Sequence, residues 1–369
     1  MNRPLVLLLA ILALSSPARA EESFTPLFNG RDLAGWVNVN CAPETWAVRE
    51  GVVTCTGKPT GAMRTERQYE NFIFEAEWRH MKSGGNAGIF VWSSPLAAPG
   101  VPFLRSVEVQ VLDLGYGNTD SHTTHGDVFP IHGSTMKPFG RSRGMRSFPS
   151  EERSKPSPEW NHYRVECNDG TVRLQVNGKE VSGGEACVWR KGYLGLESEG
   201  SPTEWRNVRI RELPSTNPTP EQTAPEAQGH RPLYTGLDLR GWKTATPERW
   251  TPNDWKLVLK DGPAGEAIYL EMLYGDCELI VDCQSPGKGA APAVLLGSPS
   301  VKVPLEGLEP GKWGRFTVVI KGRDVVVQRD GRETHRSVLP EGAPSRRSLG
   351  LLDIGAAAEF ANLYVRELP

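Results

Sequence analysis

The sequence predicts an all-β protein built from two tandem antiparallel β-sandwiches of the jelly-roll type. Three observations lead to this fold class: short stretches of alternating apolar and polar residues, turn signals between them, and one long internal repeat. An alternation with a period of two is typical of a strand that buries one face, and no stretch shows convincing helical periodicity. Many short strands at hairpin spacing favour a sandwich of two sheets.

The N-terminus has the pattern of a secretory signal. A basic Arg3 precedes an apolar run from Leu5 to Leu14, and Ala18 and Ala20 have the spacing that a signal peptidase reads. Because the run is too short to span a bilayer, we expect cleavage after Ala20 rather than a membrane span. The mature protein is then exported to the periplasm or the extracellular space without a transmembrane segment. A retained anchor is the alternative.

Length and charge set wide limits on function. The chain has 369 residues, a formal net charge of -2 and 23% charged residues. This length allows two domains with their own cores, and the charge balance gives no indication of nucleic-acid binding.

Six cysteines in a chain that we expect to be exported raise the question of disulfide bonds. Cys277 and Cys283 share one face of a predicted strand but lie about 20 Å apart along it, so they cannot pair with each other. Cys167 ends an inward-facing series and is interpreted as a buried thiol. Cys41 and Cys55 flank a predicted hairpin and are the pair to test for a bridge. The cysteine spacings match no zinc motif.

The internal repeat starts with PLFNGRDLAGW at residues 26–36 and PLYTGLDLRGW at residues 232–242, and both copies end in RELP. A match of this length indicates a duplication. The stretch between the copies is rich in Pro, Thr and Gln and predicts an extended linker. The predicted organisation is a signal over residues 1–20, a first sandwich over 21–214, a linker over 215–230 and a second sandwich over 231–369.

The second copy is shorter than the first by 52 residues within one interval. Val294 lies 205 residues after its counterpart Ile89, whereas Trp313 lies only 153 residues after its counterpart Trp160. A segment that one copy omits while keeping its other strands is not required by the scaffold, and such long excursions are usually functional. A decorative insertion is the alternative.

The excursion follows the predicted strand SVEVQVLDL, in which Glu108 and Gln110 share a face and lie about 7 Å apart. The second copy reads SVKVPLEGL, with Lys302 in place of Glu108 and Pro304 in place of Gln110. The pair is therefore a candidate for a site that only the first copy has. An ordinary solvent-facing strand is the alternative.

A polar loop after the strand carries His122, His125, Asp127 and His132. Ionisable residues at the end of a strand are typical of functional sites, although loop histidines are often merely solvated. His125 and Asp127 are close enough in sequence to act as an acid and its orienting partner. No cofactor is expected, but His122, His125 and Asp127 could hold a divalent cation, even though their spacing matches no standard site.

The first copy resembles the 3-keto-disaccharide hydrolase domain family of exported bacterial proteins with a concanavalin-like jelly roll. The resemblance covers nearly all of residues 24–214 and rests on PLFNGRDLAGW, GGNAGIFVW, VEVQVLD, THGDVFPIHG, EWNHYRVE, LQVNGKEV and GLESEG. The second copy keeps the opening, the hairpins and the ending, and so resembles a degenerate member. Members often have Arg after the GIF segment, where this chain has Trp92.

The resemblance implies a hydrolase or lyase that cleaves the glycosidic bond of 3-keto sugars. A ketone at carbon 3 acidifies the hydrogen on carbon 2, so a base can form an enolate that expels the glycosidic oxygen before water adds. Such a site needs a base, an acid and a donor for the enolate. We expect Glu108 to be the base, Gln110 a neutral donor, and His125 with Asp127 the acid and its partner. Further residues expected to bind substrate are Asn86, Trp92, Asp113, His132 and Glu197.

A non-catalytic carbohydrate-binding or adhesion module is the main alternative, because jelly rolls also form lectins. A binding module would leave Glu108 exposed, whereas an enzyme would partly bury it near a histidine. Two of the candidates have a structural alternative: Trp92 as a core residue and Glu197 as a surface strand end. The arginine-rich run from Arg141 to Arg153 is interpreted as a solvated loop.

Overall fold

The computed structural model describes residues 23–263, 267–284, 292–297, 301–352 and 356–369. The predicted signal, residues 1–20, lies outside this part of the chain. Strands make up the regular structure of the described residues, apart from two 3₁₀ turns at Leu114–Tyr116 and Pro220–Gln222. No helix in these ranges is long and apolar enough to cross a membrane. The predicted all-β class is confirmed.

The first sandwich contains seventeen strands. They are β1 Thr25–Pro26, β2 Trp36–Asn38, β3 Trp46–Arg49, β4 Val52–Cys55, β5 Gly61–Thr65, β6 Phe72–His80, β7 Asn86–Ser93, β8 Ser106–Leu112, β9 Val128–Ile131, β10 Thr135–Pro138, β11 Ser142–Arg143, β12 Arg146–Ser147, β13 Asn161–Asn168, β14 Thr171–Val176, β15 Lys179–Val188, β16 Tyr193–Ser198 and β17 Thr203–Glu212.

These strands form two sheets that pack face to face. Sheet A has the order β10-β15-β14-β13-β6-β17-β4-β3, with β1 beside β17, and sheet B has the order β11-β12-β9-β8-β7-β16-β5-β2. Neighbours in a sheet are mostly distant in sequence, which is the crossover pattern of a jelly roll. The core between the sheets includes Trp78 and Tyr163 from sheet A and Ile89 and Val109 from sheet B.

The second sandwich contains thirteen strands within the described ranges. They are β18 Arg231–Pro232, β19 Trp242–Thr244, β20 Trp250–Asn253, β21 Lys256–Leu259, β22 Ala267–Tyr274, β23 Cys277–Gln284, β24 Ala293–Leu296, β25 Val301–Pro304, β26 Gly314–Lys321, β27 Asp324–Arg329, β28 Arg332–Val338, β29 Arg347–Leu352 and β30 Ala358–Glu367.

Sheet C has the order β20-β21-β30-β23-β26-β27-β28, with β18 beside β30, and sheet D has the order β19-β22-β29-β24-β25. The order of sheet D corresponds to β2-β5-β16-β7-β8 in sheet B. Beyond β8, sheet B continues with β9, β12 and β11, which come from the excursion that the second copy lacks. The excursion therefore extends the sheet next to the strand that carries Glu108.

The segment 215–230, predicted as an extended linker, lies along the first sandwich. Ala224 is buried, its backbone N–H donates to the Lys191 carbonyl at 2.8 Å, and the Arg190 N–H donates to the Gln222 carbonyl at 2.8 Å. The segment thus packs against the loop that leads into β16.

All six cysteines are buried and free. This agrees with the expectation for Cys167, Cys277 and Cys283, whose side chains lie in the two cores. Cys41 and Cys55, the pair selected as a possible bridge, are close together but form no disulfide. Burial raises the pKa of both thiols, so neither is an activated nucleophile.

Candidate active site

Strand β8 presents the side chains around which the site is built. Val107, Val109 and Val111 point into the core between the sheets, so Glu108 and Gln110 point to the outer face of sheet B, as the alternation predicts. Yet the exposure of Glu108 is only 6% and that of Gln110 only 5%. The outer face of the sheet is therefore covered at this position, and the carboxyl of Glu108 lies in a largely water-free environment.

Glu108 meets a second carboxyl, that of Glu197 on β16, across strand β7. The strand pairing sets Gly88 of β7 opposite Gln110 of β8 on one side and in register with Glu197 of β16 on the other. A Cβ atom at Gly88 would lie 2.9 Å from Glu108 Oε1 and 2.9 Å from Glu197 Oε2. Because glycine has no side chain, the two carboxyls share the space above it. Glu197 Oε2 has no hydrogen-bond partner within the described residues.

A hydrogen-bonded row connects Gln110 with a third carboxyl at the end of β16. Gln110 Nε2 donates to Asn86 Oδ1 at 2.8 Å, and Asn86 Nδ2 donates to Glu199 Oε2 at 2.5 Å. Gln110 and Asn86 thus hold each other in place. Because the amide nitrogen of Gln110 already donates to Asn86, this side chain helps to hold Asn86 and Glu199 in position in addition to facing the site.

Burial raises the pKa values of all three carboxyls, and neighbouring negative charges add to the increase. Burial is the main cause that raises the pKa of Glu108 to about 8, with Glu199 adding to the increase and Arg146 opposing it. Burial and then the charge of Glu108 raise the pKa of Glu197 well above its usual value. The pKa of Glu199 is also raised, mainly by burial. Two buried carboxyls this close do not readily ionise together, so the pair keeps one proton when the other is lost and can offer a base and an acid to the same substrate.

Arg146 supplies a positive charge beside this cluster. Its Nη1 donates to Asp127 Oδ2 at 2.9 Å and to Gln110 Oε1 at 3.4 Å, and its guanidinium lies 3.3 Å from the ring centroid of Phe129. The interpretation of the arginine-rich run as solvated is therefore wrong for Arg146. The physical reason is strand pairing, because β12 returns beside β9 and so brings Arg146 back over the sheet.

Asp127 is completely buried and fully engaged. It accepts hydrogen bonds from the backbone N–H of Thr123 at 2.9 Å and from Thr123 Oγ1 at 2.5 Å, in addition to the ion pair with Arg146. These contacts make Asp127 the fixed partner of Arg146. Its charge also adds to the raised pKa of Glu108.

His125 is buried but faces other residues than the carboxyl pair. Its Nε2 lies 3.7 Å from Glu152 Oε1, and its ring lines a cavity of about 280 Å³ together with Asn118, Thr123 and Arg141. Burial lowers the pKa of His125, so the ring is neutral around pH 7. The structure brings Asp127 near Glu108 but places His125 at this separate cavity.

The candidate cation ligands do not come together. The ring of His122 contacts Thr119 Oγ1 at 3.0 Å and the Gly117 carbonyl at 3.1 Å, whereas Asp127 is occupied by Arg146. In the part of the chain that the structure describes, no group of three His, Cys, Asp or Glu side chains is placed to hold a metal ion. The hypothesis of a cation bound by His122, His125 and Asp127 therefore receives no support from the geometry.

Three of the other sequence candidates lie outside the cluster. Trp92 is a core residue whose Nε1 donates to the Glu70 carbonyl at 2.7 Å. Asp113 caps the 3₁₀ turn by accepting from the Gly115 N–H at 2.8 Å. His132 is exposed and stacks on Phe103 at 6.1 Å. Only Asn86 and Glu197 join Glu108 and Gln110.

Three residues of the cluster were not among the sequence candidates: Gly88, Arg146 and Glu199. Glu199 stands two residues after Glu197 in the segment GLESEG, so strand alternation could have placed both on one face. Gly88 carries no chemical group, and Arg146 is one of several arginines in its loop. Neither had a signal that separates it from its neighbours.

The first sandwich corresponds to a known family. Residues 23–211 match the family model of the 3-keto-alpha-glucoside-1,2-lyase-like domain. No curated protein matches the chain.

Several solved structures are similar to part of the chain. One is a protein of Parabacteroides distasonis assigned as a glycosyl hydrolase, with 23% identity and a TM-score of 0.41, covering 52% of this chain and 95% of its own. Another is the carbohydrate binding module CBM66 of Bacillus subtilis, with 15% identity and a TM-score of 0.35, covering 48% of this chain and 96% of its own. Since the family model spans just over half of the chain, the protein belongs to the family of 3-keto-alpha-glucoside-1,2-lyase-like domains, a carbohydrate-active family.

Proposed function

We propose that the protein cleaves the glycosidic bond of 3-keto sugars by base-initiated elimination followed by hydration. The observation that carries this proposal is the buried pair of Glu108 and Glu197, in which two carboxyls with raised pKa values share the space above Gly88. Membership of the family supports a carbohydrate substrate. Export to the periplasm or the extracellular space, as the N-terminal pattern predicts, would place the enzyme where glycosides are encountered.

Glu108 suits the role of the base. The hydrogen on carbon 2 is acidified by the neighbouring ketone, and a base with a pKa of about 8 is well matched to removing it near neutral pH. The electron pair of the broken C–H bond forms an enolate whose negative charge rests on the ketone oxygen. The positive charge of Arg146, which already lowers the pKa of Glu108, would also stabilise that oxygen.

Glu197 suits the role of the acid. Because its pKa is well above the usual value, it retains a proton when Glu108 is ionised. As the enolate collapses, the bond between carbon 1 and the glycosidic oxygen breaks, a double bond forms between carbons 1 and 2, and the leaving oxygen takes the proton. Water then adds at carbon 1 and gives one proton to Glu197, while Glu108 returns its proton to carbon 2, which completes the hydrolysis and restores both carboxyls.

Two other functions fit part of the geometry. A retaining glycoside hydrolase, which needs no ketone in its substrate, also uses two facing carboxyl groups. A carbohydrate-binding module needs no titratable cluster and is expected to leave Glu108 exposed. The burial of Glu108 favours an enzyme, although its neighbour is a second carboxyl and not the expected histidine.

A comparison of oxidised and unoxidised substrates tests the proposal. We expect the mature protein to release sugar from 3-keto-glycosides and to leave the parent glycosides intact, with products followed by chromatography and mass spectrometry. Cleavage of the unoxidised parents would instead indicate an ordinary glycoside hydrolase. Binding of either sugar without any cleavage would indicate a binding module.

The pH profile of kcat/KM should respond in opposite directions to two substitutions. For the wild type we expect the rate to rise as Glu108 ionises, with an apparent pKa of about 8. Glu199→Gln removes a negative charge that raises this pKa, so the rise should move to lower pH. Arg146→Gln removes a positive charge that lowers it, so the rise should move to higher pH.

The exposed Arg143 provides a control for the second substitution, because it lies on β11 directly opposite Arg146 on β12. Arg143→Gln should leave the profile unchanged. Shifts in the same direction for Glu199→Gln and Arg146→Gln, or no shift in either, would contradict the assignment of Glu108 as the titrating base.

A further inference from the structure

A turn of the second sandwich reaches the first sandwich beside the candidate active site. In the β20–β21 hairpin Asn253 pairs with Lys256, so Asp254 and Trp255 form a two-residue turn. Asp254 has a φ of 55°, as such tight hairpin turns require. Its Oδ1 accepts a hydrogen bond from the backbone N–H of Thr60 at 2.6 Å. The tip of this hairpin is therefore anchored to the first sandwich.

Thr60 lies across from Glu199, the third carboxyl of the cluster. The pairing of β5 with β16 sets Gly61 opposite Ser198, so the next residues outward, Thr60 and Glu199, follow in the same register. Asp254 thus contacts the residue across from Glu199. Its negative charge adds to the raised pKa of Glu199, which agrees with this proximity. The second sandwich forms the wall at this end of the site.

The tip also carries an aromatic pair. The rings of Trp255 and Trp313 have centroids 5.6 Å apart and are inclined by 38°, and both side chains are partly exposed. Trp313 packs against Gly100 of the loop between β7 and β8, where a Cβ atom would lie 2.5 Å from Trp313 Cγ. The pair therefore lies at the junction between the two sandwiches, next to Asp254.

A buried polar network holds the loop between β7 and β8 against the second sandwich. Asp282 is fully buried and accepts hydrogen bonds from Arg315 Nε at 2.7 Å, from Asn362 Nδ2 at 2.7 Å and from the Gly100 N–H at 2.8 Å. Satisfied networks of this kind hold elements in one arrangement. The loop that they hold leads directly into β8, the strand of Glu108.

Apolar contacts complete the junction. Phe90 and Leu104 of the first sandwich pack in one buried cluster with Ile280 and Tyr364 of the second. Phe90 pairs with Glu108 between β7 and β8, so the second sandwich covers the outer face of sheet B next to the base. This contact explains why the outer face of the strand is shielded from water at Glu108.

We propose that the Asp254–Trp255 turn, together with Trp313, is a subsite that binds the sugar unit next to the oxidised one. An indole face packs against the apolar face of a pyranose ring, and a carboxylate accepts hydrogen bonds from its hydroxyls, which is the combination that the turn offers. This inference rests on the proposed function, because it places the oxidised sugar at Glu108. The second sandwich then selects substrates although it has Lys302 where the first has Glu108.

The test compares two sizes of substrate. We expect Trp255→Ala to lower kcat/KM for the 3-keto derivative of the best disaccharide, chosen from maltose, cellobiose, trehalose and sucrose, by about 10–100-fold. The same variant should change kcat/KM for methyl 3-keto-glucoside less than about twofold, because that substrate has no second ring to bind. Trp255→Phe should restore part of the loss. Met272→Ala, an exposed change elsewhere on the second sandwich, serves as the control.

An equal loss on both substrates, or no loss on either, would overturn the subsite. If the wild type cleaves no 3-keto-glycoside, the proposed function is wrong. The subsite is then tested by binding alone. The four unoxidised disaccharides are then titrated by calorimetry, with weaker binding expected for Trp255→Ala than for the wild type. Absence of binding to all four, or binding that Trp255→Ala leaves unchanged, would refute the subsite in that case.

Discussion

Replacing Glu108 with Gln is expected to lower the turnover of a 3-keto-glycoside by about 10²–10⁴-fold, the usual contribution of a general base. Gln has the size and hydrogen-bonding capacity of Glu but cannot accept the proton from carbon 2. The affinity for substrate should change little, because the shape of the site is kept. Turnover and binding are measured on the same preparation, with Glu152→Gln, an exposed carboxyl near His125, as the control.

The stability of the variant provides a second readout. The pKa of Glu108 is about 8 in the folded protein and 4.5 in a model peptide, so between these pH values the unfolded chain releases a proton that the folded protein retains. The contribution of Glu108 to stability is therefore present below pH 4.5 and is lost as the pH rises through 8. Since Gln has no proton to lose, we expect Glu108→Gln to exceed the wild type in stability at pH 8 by about 0.5–2 kcal/mol.

Thermal unfolding at pH 5 and pH 8 checks this expectation, and the difference between variant and wild type should be smaller at pH 5. Near-normal turnover of Glu108→Gln would show that the base is elsewhere. If His125→Ala or Asp127→Asn then abolished turnover, the base would lie in the loop after β8.

Replacing Gly88 with Ala is expected to reduce turnover by about 10²-fold or more, the effect of moving reacting groups by about an ångström. The added Cβ would lie 2.9 Å from the carboxyl oxygens of both Glu108 and Glu197, so one or both groups must move away. These atoms are the ends of flexible side chains, so the fold should persist.

Gly275→Ala is the matched control, because its nearest neighbour would be 3.7 Å from the added Cβ, which is an ordinary contact. Turnover and the far-UV circular dichroism spectrum are compared for both variants and the wild type. Full activity of Gly88→Ala would mean that the two carboxyls do not act on one substrate above this glycine.

The raised pKa values that suit the cluster for chemistry are also costly for folding. Burial and the negative charges of Glu199 and Asp127 disfavour ionisation of Glu108, and among the described residues Arg146 opposes them. Functional sites commonly retain such unfavourable arrangements. The buried interface with the second sandwich offsets part of this cost while excluding water from Glu108.

Local sequence patterns predicted the strands and part of the site. Strand alternation placed Glu108 and Gln110 on one face, since side-chain direction in a strand depends only on residue parity. Comparison of the two copies located the excursion, because counting the residues between matched positions requires no structure. The resemblance to the family also came from contiguous segments.

The partners of Glu108 depended on contacts between residues far apart in the chain. Glu197 reaches Glu108 because β16 and β8 both pair with β7, and Arg146 reaches it because β12 returns beside β9. His125 shows the converse, since closeness in sequence to Asp127 did not bring it to the carboxyl pair.

The sequence by itself determined the strand pattern, the all-β class and the polar face of β8, because each of these follows from the order of neighbouring residues. Only the tertiary structure decided that this face is buried, that Glu197 rather than His125 lies beside Glu108, and that Asp254 of the second sandwich reaches the row of Glu199. These outcomes depend on sheet register and on the packing of two sandwiches. Both are set by the burial of many distant side chains at once, and no single segment contains that information.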